Sequence, residues 1–124
     1  MDRVVSVTGL GRSGVADWLI QRISAVVIGV YALFLIGFFV LHPDLQYADW
    51  VSLWQCTWFK VFSLATLILT LAHAWIGMWG VLSDYVTTRM MGSKATLVRF
   101  VLQILIFTAL AYVALIGLQV LWSV

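Results

Sequence analysis

Three long stretches of the chain carry no charged residue: Ile23 to Leu41, Val61 to Leu82 and Phe100 to Trp122, of 19, 22 and 23 residues. A helix needs roughly 20 apolar residues to cross a hydrocarbon core about 30 Å thick. Lipid offers the backbone no hydrogen-bond partner, so each stretch must satisfy its own amides and is read as a helix. With 64% hydrophobic and 10% charged residues, the chain lacks the polar shell that a soluble domain of this size requires. The expected fold is an all-α integral membrane protein with three transmembrane helices. It forms a single transmembrane domain over residues 1–124, with spans at about 19–41, 61–82 and 97–122.

Charge sets the expected orientation. Three crossings place the N-terminal arm and the loop after the second span on one side, with Arg3, Arg12, Arg22, Arg89, Lys94 and Arg99. The other side holds only Lys60. Positive residues collect on the cytoplasmic face, so the N-terminus is expected in the cytoplasm and the C-terminus in the periplasm. Met1 to Asp17 has no apolar h-region, so it does not read as a secretory leader. Trp18 and Trp79 fall near the cytoplasmic boundary, and Trp50, Trp54, Trp58 and Trp122 near the outer one. After Pro43, residues of about 47–58 are expected to form a short interfacial helix with Trp50, Trp54 and Trp58 on one face. The lone Cys56 is expected as an unpaired thiol near that interface. A net charge of +2 without a basic stripe gives no sign of nucleic acid.

His73 stands out because it lies near mid-membrane, about 14 Å from the cytoplasmic end of its span. Intramembrane ionisable residues are functional candidates by default, with an interhelical hydrogen bond as the alternative. Gly77, Gly80 and Asp84 follow at i+4, i+7 and i+11, all within about 40° of His73 on a helical wheel. The imidazole thus stands above a groove without side chains, open to a helix or to a planar macrocycle, and it could serve as an axial haem ligand. An electron-transfer haem usually takes two protein ligands. His42 lies in the outer loop, and Met78 points about 140° away from His73, so a second ligand would come from another subunit. Arg22, on one face with Ala25 and Gly29, is either a snorkelling anchor or a partner for an anionic group such as a haem propionate. Tyr85 and Asp84 follow the second span directly; they suit either an aromatic belt and a solvated loop, or a phenol donating to a quinone carbonyl beside a carboxylate.

The string HAWIGMWGVLSDYV, His73 to Val86, resembles the small cytochrome b anchor subunits of bacterial succinate dehydrogenase, respiratory complex II. GRSGVADW, Gly11 to Trp18, resembles that family's segment before the first helix, and Arg22 follows at the family's spacing. The resemblance implies a non-catalytic anchor in the bacterial inner membrane. It implies packing against a second anchor subunit, with a haem b shared between the two. It also implies a ubiquinone site beside an iron–sulfur subunit, and a flavoprotein that holds FAD. By motif position, His73 would ligate the haem, Tyr85 would hydrogen-bond the quinone, and Asp84 would support that pocket. Arg22 would lie near the propionates or the quinone. Some members carry a histidine where this sequence has Ala16, so any contact of that side chain must come from elsewhere.

Two other readings compete. A haem-less anchor of the fumarate reductase type would use His73 for packing or near the quinone. A small transporter or assembly module would use it as a proton relay, but a relay needs further polar groups at its depth. Gln103 and Gln119 lie towards opposite ends of the third span.

Overall fold

The computed structural model describes residues 14–123. Arg3, Arg12 and the Gly11–Ser13 part of the N-terminal motif lie outside the described residues. The remainder is all helical. Helix α1 spans Gly14–Leu41, α2 Tyr47–Gln55, α3 Thr57–Tyr85, α4 Thr88–Met91 and α5 Ala95–Trp122, with a 3-10 turn at Gly92–Lys94 before α5. Helices α1 and α3, and the run from α4 through α5, are each long and apolar enough to cross a membrane.

These helices run beyond the uncharged blocks. The hydrocarbon boundary limits which side chains are tolerated, whereas the helical hydrogen-bond ladder continues into the headgroup layer. At its other end, α1 stops before Pro43, which cannot donate to the ladder. Asp49 then starts α2 by accepting the backbone N–H of Gln46 at 3.2 Å. A break at Cys56, extended at φ −68° and ψ 126°, separates α2 from α3. That break corrects the expected single tryptophan face. Trp50 and Trp54 meet edge to face at 5.7 Å on α2, whereas Trp58 lies on α3 and packs edge-on against Phe34 at 5.6 Å. Cys56 is a free thiol that donates to the Ser52 carbonyl at 3.4 Å.

Helices α1 and α5 each pack along α3, with no comparable packing between α1 and α5 among the described residues. The spans therefore form an open row with α3 in the middle. Each neighbouring pair is antiparallel: Ser24 faces His73 while Tyr31 faces Ser63, and Leu67 of α3 meets Gly117 of α5. This arrangement gathers Arg22, Arg89, Lys94 and Arg99 at one end of the row and Lys60 at the other.

Helix association in lipid relies on close packing and polar contacts, because the surrounding tails are as apolar as the side chains. The α1–α3 seam follows that rule. Helix α1 presents Asp17, Gln21, Ser24 and Tyr31 at spacings of four, three and seven, and α3 answers with Ser63, Thr66, His73 and Gly77. Thr66 and Thr70 donate to the carbonyls of Phe62 and Thr66 at 2.8 and 2.7 Å, so neither hydroxyl is left without a partner. Away from the basic end the seam becomes aromatic: Tyr31 stacks on Phe62 at 5.1 Å, and its hydroxyl lies 2.7 Å from Ser63 Oγ. Most large apolar side chains instead face outward; Leu33 is 69% and Phe107 65% exposed, surfaces suited to lipid or a partner helix.

The α3–α5 pair is seated through Gly117. A Cβ there would stand 2.7 Å from Leu67 Cδ2. A Gly117→Ala change is expected to be absorbed by rotation of Leu67. Gly117→Leu must part the helices and should cost about 1–3 kcal/mol as overpacking. A thermal melt in detergent measures both, and an unchanged midpoint for Gly117→Leu would mean that the helices do not meet tightly here.

Candidate functional site

His73 is held by helix α1. Its Nδ1 lies 2.9 Å from Ser24 Oγ, and its Nε2 lies 3.5 Å from Gln21 Nε2. Ser24 is fully buried, and its hydroxyl also lies 3.0 Å from the Gln21 carbonyl, to which it donates. Gln21 Oε1 is buried without a hydrogen-bond partner. The antiparallel register explains this meeting, because it brings residues 49 and 52 positions apart to one depth.

The imidazole lines an open groove of about 360 Å³ with Asp17, Trp18, Gln21, Arg22, Ala25 and Ile76. Arg22 Cζ stands 5.5 Å from the centre of the Trp18 ring, a cation–π distance. The sequence placed His73 and Arg22 on different helices with no stated contact, and the fold brings both into one groove. Asp17 is 8% exposed, so a carboxylate is buried where the groove nears the basic end. Ala16, one residue before it, is half-buried on the first turns of α1.

The two glycines separate. A Cβ on Gly77 would lie 3.5 Å from Gln21 Nε2, an ordinary contact distance, so Gly77 faces Gln21 across the seam without being required to make room for it. Nothing lies within 4 Å of a Cβ on Gly80, which faces open space. Asp84 and Tyr85 are exposed at the end of α3, Tyr85 by 65%. Twelve helical residues put Tyr85 about 18 Å along the axis from His73. They form a second location beside the basic end, separate from the groove. That end is clamped: Val86 N–H closes α3 onto the Leu82 carbonyl at 3.1 Å, and the Arg99 guanidinium of α5 donates to the Val86 carbonyl. His42 takes no part, since it stacks on Phe38 at 4.5 Å and donates to the Phe38 carbonyl at the opposite end of α1. Met78 opens towards α5 beside Trp75, Trp79 and Gln103, away from α1.

Among the described residues, no three His, Cys, Asp or Glu side chains converge as a bare metal site. One imidazole supplies one coordination bond. The donor set therefore fits a metal carried by its own macrocycle better than a naked ion. Arg22 at the groove adds planar donors suited to a carboxylate on such a group.

Ser24, Gln21 and Arg99 escaped the sequence reading. The first two stand with Asp17 on one face of α1, at spacings of three and four, and that polar stripe was the available signal. Arg99 gives no such signal, because its role depends on how α5 returns along α3.

Comparison with known proteins now bears on this geometry. The profile of the succinate dehydrogenase/fumarate reductase transmembrane subunits matches residues 4–115. The chain is similar to the succinate dehydrogenase hydrophobic membrane anchor subunit of Coxiella burnetii, 41% identical over 78 residues that cover 63% of this chain and 68% of that protein. It is also similar to the protein of the same description from Rickettsia conorii, 29% identical over 110 residues that cover 86% and 83% of the two chains.

Proposed function

The chain belongs to the succinate dehydrogenase/fumarate reductase transmembrane subunit family, as a hydrophobic membrane anchor subunit of succinate dehydrogenase, and on that footing we propose that it shares a haem b with a second anchor subunit and helps to form a ubiquinone site. The observation that carries the haem half is His73, an imidazole on the α1–α3 seam that lines an open groove with Arg22. His73 would hold the haem iron from this side, with a further ligand supplied by the second anchor subunit. Arg22 directs its guanidinium to a propionate. When bound, the haem stores one electron beside the quinone pathway.

The quinone half rests on Tyr85 and Asp84, exposed on a helix end that Arg99 clamps. Tyr85 donates its phenolic proton as a hydrogen bond to a quinone carbonyl, and Asp84 orients the pocket. A donor fixed in place before the charge develops favours the reduced, anionic forms of the quinone. The basic end of the row faces the cytoplasm by the positive-inside rule, in the inner membrane of a bacterium. There it meets the iron–sulfur subunit, which passes on electrons drawn from succinate by the FAD flavoprotein.

A second reading has one observation behind it: both ring nitrogens of His73 already have neighbours within the chain. Such a histidine could serve packing alone, in an anchor without haem. A reduced-minus-oxidised visible spectrum of the detergent-extracted complex, captured through this chain, separates the two. A b-type band alongside flavin and iron–sulfur signals is expected. Flavin and iron–sulfur without haem would establish the second reading, and no chromophore at all in an intact preparation would remove both.

A further inference from the structure

Ser24 carries a single hydroxyl proton and faces two groups, the Gln21 carbonyl at 3.0 Å and His73 Nδ1 at 2.9 Å. A carbonyl oxygen only accepts. The serine proton therefore goes to Gln21, and Oγ is left as an acceptor towards the ring. With the serine proton assigned to Gln21, His73 supplies the proton of the second bond, as the Nδ1–H tautomer with its lone pair on Nε2. Gln21 turns its Nε2, a donor, towards His73 Nε2 at 3.5 Å, which is compatible with that tautomer. That distance is at the limit of a hydrogen bond, so the lone pair is only weakly engaged.

We propose that Ser24 is a positioning residue that fixes the tautomer and ring angle of His73, so that Nε2 faces the groove as a metal-ligating lone pair. The inference rests on the haem reading given above. Its physical content is separate, because the bond from Nδ1–H to Ser24 lies wholly within this chain. A hydrogen bond on the remote N–H makes a metal-bound imidazole a stronger electron donor. Electron donation stabilises the oxidised iron. Ser24 thereby lowers the potential of the bound haem and tightens its binding. Burial strengthens the effect, since Ser24 is 0% exposed and water cannot replace its hydroxyl.

The test compares Ser24→Thr with Ser24→Val in the whole complex. The two substitutions add the same bulk at a filled position, and only threonine keeps the hydroxyl; Ser24→Ala controls for crowding. Haem content per flavin, the redox titration of the haem band and the electron-paramagnetic signature of the oxidised iron are read for each. Threonine is expected to match the parent. Valine and alanine are expected to lose haem affinity about 10–100-fold and to shift the titration to higher potential. A tenfold change in the oxidised-to-reduced ratio corresponds to about 59 mV for one electron. If valine and alanine titrate like threonine while His73→Ala changes the spectrum, Ser24 has no such role and the ligand assignment stands. If His73→Ala leaves the spectrum and titration unchanged, the haem reading falls and the inference falls with it.

Discussion

Replacing His73 by alanine is expected to change the haem of the complex, with a loss of haem per flavin or a remaining band of altered position and potential. Removing an axial ligand acts on the iron directly, so the effect should be at least the 10–100-fold typical of losing a ligand's outer partner. The effect on the fold should be smaller. His73 is partly exposed on the groove, and its loss leaves Ser24 donating to the Gln21 carbonyl as before. The serine oxygen loses a donor, a cost of about 1 kcal/mol for a hydrogen bond in this setting. Interhelical polar bonds in membranes contribute on the same scale, about 0.6–2 kcal/mol. The complex should therefore assemble, and the change should appear in the spectrum and redox titration rather than in subunit recovery. A histidine that serves packing alone gives the reverse pattern: reduced recovery, with spectrum and potential untouched in the complex that remains.

The parts of this molecule that were legible in the sequence are those set by the membrane. Three uncharged blocks fix three helices because lipid leaves the backbone no other solution. His73 stands out in the second block because a polar ring there needs a reason. What stayed hidden depends on the register between helices. Ser24 is a small residue in an apolar run, and only the antiparallel pairing of α1 with α3 makes it the partner of His73. Gly77 and Gly80 look equivalent on a helical wheel, yet Gly77 faces Gln21 of α1 while Gly80 faces open space. The break at Cys56 has no glycine or proline to announce it, and it moved Trp58 off the face of Trp50 and Trp54. Helix existence follows from local composition, whereas the site is a product of pairing.

The open row has a consequence for how the site works. A three-helix row with α3 at its centre leaves the groove beside His73 unclosed from within the chain. On the proposed reading, the imidazole, the arginine and the buried carboxylate form one side of a haem site, and the other side would come from a surface laid against α1 and α3. The exposed face of α1 suits that, since Ala25 and Gly29 beside Arg22 let a helix or a macrocycle approach the backbone. The geometry of the proposal therefore calls for the proposed second anchor subunit.

Replacing Tyr85 by phenylalanine is expected to slow ubiquinone reduction about tenfold and to leave succinate oxidation by an artificial dye intact. The ring is retained, so belt packing at the interface is preserved. The residue is 65% exposed, and exposed substitutions of this kind usually change stability by less than about 0.5 kcal/mol. What is lost is one donated hydrogen bond to the quinone. Such a bond contributes about 0.5–1.5 kcal/mol, and 1.36 kcal/mol is tenfold in rate. The loss should fall on the rate at saturating quinone to the extent that the bond strengthens as charge reaches the carbonyl. A bond made equally to oxidised quinone and transition state would raise KM instead. Dye reduction is the control, because on the proposed pathway a dye takes electrons from the peripheral subunits before they reach this chain. Equal loss of both activities would assign the effect to misassembly, and no loss of either would remove Tyr85 from the quinone site while leaving the reading of His73 untouched.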